Sequence, residues 1–122
     1  RLWLSVFPDD PPRNRAELAI PAKLALDDGL LLVAEAESGA PVGTIMAGWD
    51  GHRGWLYAVA VDPAVQRQGV GRILVKSALV RLKALGCGKV NLQIRAGNEA
   101  VLAFYMRLGF AVEPRTSMGR TL

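Results

Sequence analysis

The stretch Val61-Asp62-Pro63-Ala64-Val65-Gln66-Arg67-Gln68-Gly69-Val70-Gly71-Arg72 carries a hydrophobic strand end through a proline turn into a glycine-punctuated loop. Beyond the loop, Leu74, Val75, Ala78, Leu82 and Leu85 recur on one face, so the spacing predicts a helix over residues 71–85, with Gly86 placed to end it. Glycines at 69 and 71 let the backbone approach a ligand without Cβ interference, and the first helical turn offers free N–H groups at the positive end of the helix dipole. The segment reads as a cradle for a phosphate-bearing ligand. Its spacing matches neither G-x-x-x-x-G-K-[ST] nor the longer G-x-G-x-x-G. Taken by itself, Gly-x-Gly before a helix is also a common tight strand-to-helix connection.

Working outward, residues 30–36 and 41–49 read as strands joined through Glu37-Ser38-Gly39-Ala40. Asp50-Gly51 signals a hairpin into a third strand over residues 55–61. Downstream, residues 89–95 alternate, with Val90, Leu92 and Ile94 facing a core and Asn91, Gln93 and Arg95 sharing the other face. A strand that follows a crossover helix should lie parallel to residues 55–61. Asn98 is a good N-cap and Gly109 a good stop for a last helix, with closing strands expected at residues 110–112 and 116–122. Residues 15–28 read as helical, broken at Pro21 or restarted there. No strand signal precedes them.

A second motif extends the first. Asn98-Glu99-Ala100-Val101-Leu102-Ala103-Phe104-Tyr105-Met106-Arg107-Leu108-Gly109-Phe110 follows the Gln66-to-Gly71 loop, and the pair in that order resembles the GNAT superfamily of N-acetyltransferases from about Leu30 onward. Within it the chain is similar to the ribosomal-protein N-terminal-alanine acetyltransferases. It also resembles a bacterial group that shares the Asp50-Gly51-His52-Arg53-Gly54 turn and the Ser117-Met118-Gly119-Arg120 pattern. The resemblance implies an α/β (α+β) fold, with a mixed, mostly antiparallel sheet, a parallel splayed central pair and flanking helices. Here the family's first strand is missing, so residues 1–122 are expected to be one domain, truncated or divergent over residues 1–29. The strand at residues 30–36 would then be a sheet edge in need of cover, which a homodimer could supply.

The same resemblance implies acetyl-CoA as co-substrate, no metal, and an amine acceptor that is a small molecule or a protein N-terminus. It assigns the cofactor to Gln66, Arg67, Gln68, Gly69, Val70, Gly71 and Arg72, to the main chain of Val59, Ala60 and Val61, and to Asn98. The Val59 N–H is the candidate oxyanion donor, and Tyr105 the general acid for the departing thiolate. Helical periodicity puts Val101, Phe104 and Leu108 on the buried stripe and Tyr105 on an adjacent face; the alternative is that Tyr105 is a core aromatic. Gln93 stands where the N-terminal-alanine acetyltransferases carry a glutamate, and an amide cannot take a proton. Deprotonating a lysine-like amine of pKa ~10.4 at neutral pH costs about 4–5 kcal/mol, against about 1 kcal/mol for an α-amine near ~8. A low-pKa acceptor, or a water held by Gln93 and Asn91, is therefore expected. His52 is either a substrate contact or a structural hydrogen-bonder in its turn.

Composition narrows the classes. With 122 residues, 51% of them hydrophobic, the chain can bury one core. The longest apolar run, from Leu30, stops at Glu35, too short for a bilayer, and the start has no secretory architecture. Cys87 is the only cysteine, which excludes an internal disulfide, points to a reducing cytoplasm and reads as a small buried thiol. The net charge of +4 is uneven, since from Arg67 onward the acids are only Glu99 and Glu113 against ten Lys and Arg. A basic half attracts a polyanion. Coenzyme A phosphates fit that better than nucleic acid, because Arg72, Lys76 and Lys83 sit opposite the apolar stripe as on any solvated helix. No nucleic acid or membrane partner is expected. An acyl-CoA-binding module without turnover is the rival to an enzyme.

Overall fold

The computed structural model describes residues 2–122, the side chain of Pro12 apart; Arg1, the first residue of the expected domain, lies outside the described residues. The chain falls into two compact units, one running to Leu92 and the other spanning Gln93–Leu122. The first holds helices α1 (Leu2–Val6), α2 (Ala16–Ala25) and α3 (Val70–Ala84), and strands β1 (Leu31–Glu35), β2 (Pro41–Trp49), β3 (Gly54–Val61) and β4 (Val90–Asn91). These strands form one mixed sheet in the order β1-β2-β3-β4, antiparallel except for the parallel β3–β4 pair.

Alternation along β2 decides which helix lies on which face. Ile45 and Ala47 are fully buried on the side where Gly43 meets Leu74 and Val70 of α3. Leu74, Val75, Ala78 and Leu82 supply the α3 side of that core. Thr44 points the other way. Its hydroxyl accepts the indole N–H of Trp3 at 2.8 Å, so α1 packs on the opposite face with Trp3 only 5% exposed. That bond answers two polar groups that would each cost about 1–3 kcal/mol if buried alone. Sequence patterning gives no element at residues 2–6; its anchor is this single tryptophan.

Several expected elements come out differently. α2 runs through Pro21 without a break and forgoes one main-chain bond. Near its end Lys23, which is 7% exposed, donates to Asp28 Oδ2 at 2.7 Å. Burial alone would raise the Asp28 pKa, but the Lys23 hydrogen bond and the Leu30 N–H hold it below the usual value. The strand predicted at residues 89–95 is laddered only at Val90 and Asn91, against Gly54 and Trp55. Residues 110–112 and 116–122 form no strands, and Val112 and Met118 stand open at 72% and 90% exposure, without the burial that holds a strand's apolar face. Gln93 therefore makes a side-chain bond to Ser117 rather than a ladder. β1 does lie at the sheet edge among the described residues.

The β3–β4 junction is tight. The Gly54 N–H donates to the Lys89 carbonyl at 2.9 Å, and a Cβ on Gly54 would sit 2.7 Å from Cys87 Sγ. Cys87 is buried and its thiol donates to that same carbonyl at 3.3 Å, as expected of a packed thiol. Gly54→Ala should cost about 1–3 kcal/mol of stability through overpacking. In a Cys87→Ala background the penalty should shrink, and urea melts of the four-member cycle would read the coupling. An undiminished penalty would place the strain elsewhere.

Candidate active site

Near the end of β3 its ladder to β2 breaks. Thr44 pairs with Ala60 and Met46 with Tyr57, so Ala58 and Val59 stand against the single Ile45. Ala58 absorbs the extra residue of this bulge at φ 48°, a left-handed conformation costing an alanine about 1–2 kcal/mol. The register shift leaves Ala58 and Val59 without one-to-one partners on β2. Ala60 is buried at 1%, while Val59 and Val61 are half-buried.

From Val61 the chain enters the glycine loop. The Asp62 carboxylate accepts the Ala64 N–H at 2.9 Å and caps a 3-10 turn over Pro63–Val65. Gln66 reaches back, its Nε2 donating to the Val61 carbonyl at 3.3 Å, so its side chain braces the loop. Arg67 and Gly69 are left-handed at φ 68° and 82°. Gly69 precedes α3, no side chain caps the helix, and a Cβ built on Gly69 would meet nothing within 4 Å. Gln66, Arg67, Gln68 and Gly69 are exposed, Val70 and Gly71 half-buried, and Arg72 exposed. The first turn carries no acid, so no carboxylate of that turn competes for the amides at the helix start.

The β2–β3 hairpin differs from a two-residue turn. Its ladder closes at Trp49 and Gly54, and the Asp50 carboxylate accepts the N–H groups of His52 and Arg53 at 2.8 and 2.9 Å. Those bonds, Arg53's foremost, hold the Asp50 pKa below its usual value. His52 is exposed at this tip, and Asn91 is half-buried beside Trp55 on β4. Tyr57, which the motifs do not single out, is 49% exposed, and desolvation followed by the Asp50 charge raises its phenol pKa. The alternation of Trp55 and Tyr57 on the less buried face is the signal that could have found it.

In the second unit, the Asn98 side chain accepts the Val101 N–H at 3.3 Å and caps helix α4 (Glu99–Arg107). Gln93 is exposed. The expected stripe is corrected here: Tyr105 is the buried residue of α4 at 7% exposure, while Val101, Phe104 and Leu108 are half-buried. The reason is aromatic packing. The Tyr105 ring lies edge-on to Phe104 at 5.0 Å and to Phe110 at 5.5 Å, and Phe110 is brought back by its N–H bond to the Tyr105 carbonyl. Desolvation pushes the phenol up to about 12.

Among the described residues no group of three His, Cys, Asp or Glu side chains could hold a metal, and no helix is long and apolar enough to cross a membrane. The model of the acetyltransferase (GNAT) family matches residues 1–110. An acetyltransferase of Yersinia enterocolitica is 39% identical over 111 residues, covering 91% of this chain and 78% of that protein. An acetyltransferase structure from Trypanosoma brucei superposes with a TM-score of 0.71 at 27% identity, over 98% of this chain and 88% of that one. The structure of AAC(6')-Iy in complex with the bisubstrate analog CoA-S-monomethyl-acetylneamine superposes at 0.77 with 18% identity, over 99% and 87%, and shares the fold. Motif order, sheet topology and relatives agree, and the chain belongs to the GNAT acetyltransferase family as an N-acetyltransferase.

Proposed function

We propose that the chain transfers an acetyl group from acetyl-CoA to a primary amine by direct attack in a ternary complex. The observation that carries this reading is the uncapped, acid-free start of α3, opened by Gly69 where a Cβ would meet nothing. That cradle suits a pyrophosphate, held by main-chain N–H groups of residues 66–71 with Arg72 adding charge. Val59, Ala60 and Val61 would offer main-chain groups to the pantetheine arm, and Asn98 a further polar contact. Acetyl-CoA supplies a thioester whose acetyl carbon is open to a neutral amine.

The remaining chemistry falls to the chain. The Val59 N–H, at the register shift of β3, is the donor for negative charge developing on oxygen. Tyr105 Oη is the proton donor toward sulfur. With its pKa at about 12, complete transfer to a thiolate of pKa ~8.5 would be uphill by about 5 kcal/mol, so it serves as a hydrogen-bond donor while charge builds. Gln93 supplies no base. The acceptor should therefore be an amine of low pKa, and turnover should rise with pH until the amine itself has titrated. Thiol release across an amine panel, read against pH, tests this, and Gln93→Glu should extend activity to lower pH. A limb near neutrality that is the same for every amine would reveal a protein base instead, His52 being the first to replace. Gln93 also favours the rival reading of acyl-CoA binding without turnover. Acetyl-CoA binding by calorimetry with no thiol release from any amine would establish that rival.

A further inference from the structure

The chain beyond α4 is held at successive points within the second unit. Phe110 is brought back onto the Tyr105 ring at 5.5 Å, its N–H bonded to the Tyr105 carbonyl at 3.1 Å. The Arg115 N–H donates to the Glu113 carbonyl at 2.8 Å and turns the chain. Ser117, the first residue of the Ser117-Met118-Gly119-Arg120 pattern, then meets Gln93 from 24 positions away, its hydroxyl accepting a hydrogen bond from Gln93 Nε2. Alternation persists around Gln93 although residues 92–95 join no ladder: Leu92 and Ile94 are half-buried, Gln93 and Arg95 exposed. The Gln93 side chain thus leaves the main chain on the open side, where a glutamine would otherwise sample several rotamers and the serine bond fixes one.

An amide is directional. With Nε2 bonded to Ser117, Oε1 is the other end of a planar group whose rotation is set, and it accepts only from N–H or O–H donors. A neutral amine that donates one N–H to such an oxygen has its lone pair turned to a defined side. As it attacks, its nitrogen gains positive charge, which the negative end of the amide dipole favours.

We propose that Ser117 is a positioning residue, fixing the Gln93 amide so that Oε1 accepts an N–H of the acceptor amine and aims the amine's lone pair for attack. This rests on the acetyl-transfer reading above, in which Gln93 stands at the acceptor, and it gives the Ser117-Met118-Gly119-Arg120 pattern a part in turnover. The serine acts only through the amide.

The test is steady-state kinetics with acetyl-CoA and the fastest α-amine of the amine panel. Ser117→Ala should lower kcat about fivefold with acetyl-CoA affinity and melting temperature unchanged, and Ser117→Thr, which keeps the hydroxyl, should recover most of that loss. In a Gln93→Ala background no amide remains to orient, so Ser117→Ala should have no further effect. A serine that merely steadied the chain would cost the same in both backgrounds. In Gln93→Glu the serine hydroxyl can donate to the new carboxylate and hold its pKa down, so adding Ser117→Ala should move the acidic limb of kcat/KM up by about half a pH unit. The charges of Arg95, Glu113 and Arg115 act on that limb with and without the serine and drop out of the difference. Wild-type turnover in Ser117→Ala, an equal loss in both backgrounds, or an unmoved limb overturns this proposal alone. Acetyl-CoA binding without thiol release from any amine overturns the acetyl-transfer reading and this proposal with it.

Discussion

Gly69→Asp should yield a folded protein that has lost acetyl-CoA binding by at least about 10²-fold. The fold survives because a Cβ there meets nothing within 4 Å and aspartate tolerates a left-handed φ better than most residues. A carboxylate at this position even suits the helix, which has no side-chain cap and no acid in its first turn. The same carboxylate would face the pyrophosphate, where like charges 4 Å apart repel by about 4 kcal/mol at an effective dielectric of 20. Calorimetry with acetyl-CoA, alongside a thermal melt, reads both halves of the expectation. Gly69→Ala should cost less affinity than Gly69→Asp, separating backbone strain from charge. Unchanged affinity in Gly69→Asp would remove the cofactor from this loop.

Tyr105→Phe should lower turnover by about 10²-fold or more while acetyl-CoA affinity holds, because the lost hydroxyl acts only as charge develops on sulfur. The ring contacts to Phe104 and Phe110 survive the substitution. A second signature belongs to the same phenol. Its pKa of about 12 in the folded protein lies above the unfolded value of ~10. The resulting stability is complete below pH ~10 and drains away as pH rises through about 12, by about 3 kcal/mol in all. Urea melts between pH 9 and 12 should show that loss, and Tyr105→Phe should remove most of it. Tyr57 titrates in the same direction but is half exposed, so its share is smaller. Wild-type turnover in Tyr105→Phe would leave Tyr105 as a packing residue.

Local physics explains which parts of this fold can be read from the sequence. β2 occupies the predicted residues 41–49 because it pairs on both sides and alternates, and α3 lies within one residue of its predicted ends because Leu74, Val75, Ala78 and Leu82 give it a buried stripe. The bulge at Ala58 has no local sequence signal. Nothing in Tyr-Ala-Val marks a left-handed residue, since the strain is imposed by pairing on either side. Likewise α1 owes its place to Trp3 bonding Thr44, 41 positions away, a contact that no local pattern encodes. The burial of Tyr105 escaped helical periodicity because Phe110, beyond the end of α4, folds back onto it.

The bulge at Ala58 has a consequence for how this protein tolerates change. It puts a peptide N–H, rather than a side chain, where oxyanion stabilisation is proposed, and every residue type except proline supplies that group. Replacing Val59, Ala60 or Val61 one by one with other small apolar residues would alter packing yet leave the donor in place. An alanine scan would report these positions as dispensable. Only a backbone edit, proline at 59 or an ester in place of that amide, would expose what the strand contributes. Sequences carrying this site are thus free to diverge along β3, and side-chain identity there is a poor guide to whether the chemistry has been kept.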